Sequence, residues 1–199
     1  MNIQASAKNK ASGTKEYVLT IADIHYGYQF VSMNNSYSPE IAEERMLSLA
    51  QRVGEFCKKE GITSLKVINL GDNIHGILRV NDLHMNQAGV VSATIGIAKL
   101  LGKFIEDLAA VVNVDYYHVP ESNHTQIRPL GTKASEIASE DVEYIITEFL
   151  KVMFAESETV KINTAVGDTY IDVPLFGAFA IAKHGHDIKN IETANKDLA

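Results

Sequence analysis

Four apolar stretches, far apart in the chain, each close on Asp, Asn or His. They are Leu19-Thr20-Ile21-Ala22-Asp23-Ile24-His25, Asn69-Leu70-Gly71-Asp72-Asn73-Ile74-His75, Val119-Pro120-Glu121-Ser122-Asn123-His124 and Ile181-Ala182-Lys183-His184-Gly185-His186. A strand that leaves the core for a loop ends this way, with its last polar side chains free to converge on a cation. The repeated pattern points to one metal centre assembled from the ends of several strands.

The intervening periodicity supplies the frame. Residues 17–22 read as a strand apolar on both faces, a buried type. Residues 26–37 are aromatic and polar, as in a loop over the site. Ser38-Pro39-Glu40 opens a helix with a hydroxyl cap, a proline at the first position and an acid. Met46, Leu49, Ala50, Val53, Phe56 and Cys57 share one face of it, and Gly61 stops it. Residues 65–70 read as a second buried strand. Strand, helix, strand is a βαβ unit, so the two strands run parallel.

Further on, residues 90–112 predict a long helix, apolar nearly all round and therefore deeply buried or in a subunit contact. Residues 114–119 predict a third strand. Residues 134–154 predict a helix with Ala138, Val142, Ile145, Phe149 and Met153 on its apolar face. Short strands at 160–164, 169–173 and 179–182, with turns at Gly167-Asp168 and Pro174, suggest an antiparallel or mixed second sheet. Residues 1–15 are polar and expected to be disordered. Residues 16–199 then form one domain, polar from residue 188 onward.

Composition excludes some chemistry. The net charge of −7 provides no overall basic field to hold nucleic acid, though a local patch or bound cations could serve. Cys57 is the single cysteine, so no intramolecular disulfide forms and zinc–thiolate sites are out. A cytoplasmic setting is the expectation. No apolar run is long enough to span a bilayer, and there is no signal-peptide core.

The candidate ligands are Asp23, His25, Asp72, Asn123, His184 and His186. Mixed carboxylate, amide and imidazole donors suit manganese, iron or zinc rather than copper or an iron–sulfur cluster. Asp72, at the end of a central strand, is placed to bridge two cations. Such a pair, ~3.5–4 Å apart, acidifies a bridging water and steadies both oxygens of an in-line phosphoryl displacement. His124, beside Asn123, is the candidate proton donor or transition-state contact.

Asp-x-His, Gly-Asp-x-x-His, Asn-His and His-Gly-His, in this order over residues 17–187, resemble the calcineurin-like metallophosphoesterases. The Gly71-Asp72-x-x-His75 form resembles the SbcD-like DNA-repair exonuclease branch most. The resemblance implies an α/β fold, a four-layer αββα sandwich of mixed sheets, with two divalent ions, manganese first and iron or zinc as alternatives. It implies Asp23 and His25 on one metal, Asp72 bridging, and Asn123 and His184 on the other, with His124 catalytic. It further implies phosphodiester hydrolysis with DNA as substrate, a homodimer, an ATPase partner subunit, and no membrane.

Three departures stand out. Ser122 replaces the usual glycine of the third motif, and Thr125 replaces the usual acid after its histidine, for which Glu121 is a candidate substitute. The closing Gly-His-x-His is missing, so the expectation is a truncated domain that binds metal weakly and turns over poorly, unless His186 fills part of the role. A monoesterase, a cyclic-nucleotide phosphodiesterase and a catalytically impaired scaffold remain alternatives. His75 is expected as a support to the ligands or a substrate contact. Arg128, with Arg79 and Lys133, is a candidate phosphate contact. His84 and His118 read as surface or core residues and Cys57 as packing. Tyr26, Tyr28 and Phe30 read as loop packing more than as a base-stacking group.

Overall fold

In the computed structural model, residues 15–76, 84–127, 140–165, 169–188 and 190 are described. The elements in order are β1 (Val18–Ile21), β2 (Phe30–Val31), β3 (Ser36–Tyr37), α1 (Pro39–Glu60), β4 (Ser64–Asn69), α2 (Val90–Ala109), β5 (Asn113–His118), α3 (Val142–Met153), β6 (Val160–Thr164), β7 (Tyr170–Leu175) and β8 (Ala178–Lys183). The expectations for residues 1–14, Arg79, Arg128, Lys133 and residues 134–139 fall outside the described residues.

The protein is mixed α/β. Strands β1, β4, β5 and β6 form one sheet in the order β1-β4-β5-β6, parallel throughout. Side chains on a strand alternate between faces. Leu65, Val67, Val114, Tyr116 and Val160 join the three helices in one apolar cluster. Ile68, Tyr117 and Val119 meet Ile171, Val173 and Ala182 of the antiparallel β7–β8 hairpin in another. The described layers are therefore helices, parallel sheet and hairpin. The register aligns Ile21, Asn69, His118 and Thr164 across the sheet, so the carboxyl ends of all four strands lie on one edge.

Local chemistry explains the helices. Ser38 caps α1 by accepting from the Ile41 amide at 3.3 Å, and Gly61 closes it with φ 66°. Its inward stripe is Ala42, Met46, Ala50, Gly54 and Cys57. Small residues there bring α1 close to α2, which also packs against α3. Among the described residues no helix is long and apolar enough to cross a membrane.

Six expectations need correction. Among the described residues β1 pairs with β4 alone, at the edge of the sheet, and Val18 is 41% exposed rather than buried. Phe56 lies off the inward face of α1 and is exposed. α2 is two-faced: Ile97, Leu101, Phe104, Ile105 and Leu108 point in, while Val91 and Ile95 are exposed. α3 is rotated from the expected phase. Val142, Glu143, Ile146, Thr147 and Leu150 are buried and Ile145 and Phe149 are exposed, while Met153, though partly exposed, lays its side chain against Gly102 of α2. An apolar count could not find this, because two inward residues are polar. The expected loop at 26–37 contains the short β2–β3 hairpin, and the β7–β8 turn falls at Phe176-Gly177, not Pro174.

Candidate metal centre

The polar clusters follow directly on the aligned strand ends. After β1 the backbone stays beside the β4 loop. The Asp23 amide donates to Gly71 O at 3.1 Å, the His25 amide to Asp72 O at 2.9 Å and the Tyr26 amide to Asn73 O at 2.8 Å. To turn the side chains toward one another, Asp23, His25 and Asp72 adopt φ of 54°, 47° and 52°. Non-glycine residues in this left-handed region are uncommon, and three together mark a strained site. Gly76 has φ 70°, and a Cβ there would lie 1.9 Å from the His124 carbonyl oxygen, so the two loops touch backbone to backbone.

Seven side chains converge. His25 Nε2 lies 3.6 Å from Asp23 Oδ1 and 4.0 Å from Asp72 Oδ2. His184 Nε2 lies 3.3 Å from the same Asp72 Oδ2 and 2.7 Å from Asn123 Oδ1. Two donors each ~2.1 Å from a shared cation lie about 3–4 Å apart, which the Asp23, His25 and Asp72 contacts match, whereas His184 and Asn123 are at hydrogen-bond distance. His124 donates its backbone N–H to Asp72 Oδ1 at 2.9 Å. Its ring sits 4.8 Å from that of His25 and 5.0 Å from that of His75. His75 Nδ1 is 3.4 Å from His25 Nδ1, and Tyr28 stacks on the His75 ring at 4.1 Å.

The electrostatics favour a charged centre. Burial opposes ionisation of Asp72, but the hydrogen bond from His184 and the amide of His124 outweigh it, and the carboxyl is held at about 2. Burial likewise opposes the His184 cation, yet Asp72 and the Leu70 carbonyl raise it to about 8. His184 Nδ1 donates to Leu70 O at 2.9 Å, which leaves Nε2 as the ligating atom once its proton is displaced. His25 is pushed down, by burial first, so its imidazole is neutral and able to ligate. The donors of Asp23, His25 and Asp72 lie close enough together to hold a metal ion, as do those of His25, His75 and His124.

Other expected residues lie outside the cluster or in different roles. His186 is exposed, its ring 5.5 Å from that of His184. His184 is the nearer element of the pair to the ligand set. Arg128 is outside the described residues. His84 is exposed and Cys57 buried, as expected. Glu121 accepts from Gln126 at 2.8 Å instead of orienting His124; the His75 carbonyl does that, accepting from His124 Nδ1 at 2.9 Å. Ser122 and Thr125 meet each other at 2.5 Å, and the Ser122 Cβ occupies the space beside Gly71 where a side chain would clash at 2.7 Å.

A buried polar set beneath the site was not foreseen from the sequence. Asn69 bridges Asn73, the Gly71 amide and Tyr116. Glu143 receives Asn73, His118 and Ser122. Asp141 caps α3 and binds the Ser122 amide at 3.2 Å; burial and the nearby Glu143 charge raise its carboxyl to about 7. The available signal was the Asn69–Asn73 pair astride Gly71-Asp72, and an acid at 143 inside an apolar helix.

Fold and site together define an α/β protein with a histidine–carboxylate cluster at the carboxyl ends of parallel strands, where open α/β sheets place their ligands. No protein-family profile matches the chain. Over 192 residues, 96% of its length, the chain is 32% identical to the SPbeta prophage-derived uncharacterized protein YonJ of Bacillus subtilis (strain 168). The chain spans about half (47%) of that protein.

Proposed function

We propose that this chain is a metal-dependent phosphoesterase of the calcineurin-like kind that hydrolyses phosphodiester bonds, with DNA as its substrate. The observation that carries the reading is that Asp72 Oδ2 is approached both by His25, which neighbours Asp23, and by His184, which neighbours Asn123. The sequence of helices, parallel sheet and hairpin supports an αββα sandwich. Two divalent ions, manganese the first candidate, would supply the charge that steadies the attacking and leaving oxygens of an in-line displacement.

The chain's own residues do the rest. Asp72 is common to both donor groups, and the His124 amide on its Oδ1 favours the carboxylate even after His184 has given up its proton. The His124 amide holds to Asp72, which fixes the imidazole relative to the shared carboxylate. With Nδ1–H given to the His75 carbonyl, His124 has Nε2 left to exchange a proton with a leaving oxygen. His75, packed under Tyr28 and against His25, limits the room for that imidazole to turn.

The test is an activity panel with manganese on single-stranded DNA, duplex DNA, bis-p-nitrophenyl phosphate and p-nitrophenyl phosphate. The expected result is diester cleavage that stops with EDTA and in Asp72→Asn. Cleavage of the monoester alone removes the nuclease reading. No manganese uptake and no cleavage of any substrate removes the phosphoesterase reading.

A further inference from the structure

We propose that Glu143, on α3 and behind the metal centre, is the positioning residue that sets the separation of the two loops carrying Asp72 and Asn123–His124. The proposal rests on the phosphoesterase reading for its functional consequence, though not for its geometry. The Glu143 carboxylate is wholly buried and receives four hydrogen bonds. Two come from the Asp72 loop: the Asn73 amide at 3.0 Å and Asn73 Nδ2 at 2.6 Å. One comes from the other loop, Ser122 Oγ at 3.2 Å. The fourth is His118 Nε2 at 2.7 Å, from the end of β5. Asn73, Ser122 and His118 are themselves fully buried.

Asn73 and His118 donate, and the Ser122 hydroxyl shares its one proton between Glu143 and Thr125, 2.5 Å away. Asn73 Oδ1 already accepts from Asn69 at 2.8 Å, which assigns Nδ2 to Glu143. Tyr116 Oη accepts from Asn69 Nδ2 at 2.9 Å and so gives its proton to His118 Nδ1 at 3.1 Å, which puts the His118 proton on Nε2. Three N–H donors, two from Asn73 and one from His118, thus point at the Glu143 oxygens. Asn73 directly follows Asp72, and Ser122 directly precedes Asn123. A displacement of Glu143 therefore moves one residue of each donor group. The Cβ of Ser122 lies against Gly71, so the loops have no slack to take up that displacement. The carboxylate comes from a different element than either loop, which makes α3 the common reference for both.

Glu143→Gln keeps the size but turns a donor toward donors; Glu143→Asp keeps the charge but withdraws it by one methylene; Ser122→Ala cuts the link to one loop alone. Amide hydrogen exchange on the metal-free protein reads the loops, and manganese titration reads the site. The expected result for Glu143→Gln is exchange at least tenfold faster at 71–76 and 120–125, with α1 and β4 unchanged. Manganese affinity is expected to fall about 10–100-fold, with partial recovery in Glu143→Asp. If Glu143→Gln does not fold, Ser122→Ala carries the test, with faster exchange expected at 120–125 and weaker manganese binding. Uniform acceleration across the fold, or unchanged loops, overturns the proposal, as does lost stability with manganese affinity intact. Failure of the wild-type chain to take up manganese would instead strike the phosphoesterase reading, and the exchange result would still decide whether Glu143 sets the loops.

Discussion

Replacing Asp72 with Asn tests the centre through stability alone. The Asp72 and His184 side chains are 3% and 9% exposed, so solvent screens their 3.3 Å contact weakly. A carboxyl held at about 2 instead of 3.8 contributes about 2 kcal/mol once ionised. An imidazole raised from 6.5 to about 8 contributes about 2 kcal/mol while protonated. These are two views of one contact and do not sum. The carboxylate contribution is present above 3.8 and lost as pH falls through about 2. The imidazolium contribution is present below 6.5 and lost as pH rises through about 8. In EDTA the pair is complete between about pH 4 and 6.5.

Asp72→Asn keeps an oxygen for the His124 amide and removes the charge. The variant is expected to lose about 2 kcal/mol in that window, about 4–8 °C in Tm for a chain of this size. The gap should narrow as pH rises above 6.5 and be mostly gone once it passes about 8. Thermal unfolding of both proteins in EDTA from pH 4 to 9 reads it. Parallel curves for wild type and variant across the whole range would refute the ion pair, and with it the electrostatic account of the site.

Manganese is expected to raise Tm of the wild type, by about 2.7 kcal/mol of stability at a hundredfold excess over its Kd, and EDTA to reverse it; a metal-independent Tm counts against the donor set. His184→Ala should weaken manganese binding at least tenfold by calorimetry, whereas His186→Ala, at an exposed position, should change it less than threefold. Equal losses would return His186 to the ligand set. Gly76→Ala should cost about 2 kcal/mol or more in urea unfolding, because the new Cβ meets the His124 carbonyl at 1.9 Å and φ is 70°. A neutral result would mean that the two loops are not in backbone contact.

The residue types at four strand ends, and the order in which they come, were legible in the chain. Asp and His after an apolar run have few uses inside a fold, and the strand–helix–strand rhythm already required parallel strands. The Ser38-Pro39 start and the Gly61 stop of α1 were equally local, since capping depends on a few adjacent residues. Exposure was not local. Val18 looks like core by composition, yet among the described residues β1 has a neighbour on one side only. Glu143 and Thr147 look like an outer face, yet they point inward, because His118, Asn73 and Ser122 wait there with donors. Pairing and burial belong to partners 20 to 70 residues away, and no window of sequence contains them. Sequence by itself named the groups able to meet a cation; the tertiary structure decided which of them meet, in what protonation state, and what holds them there.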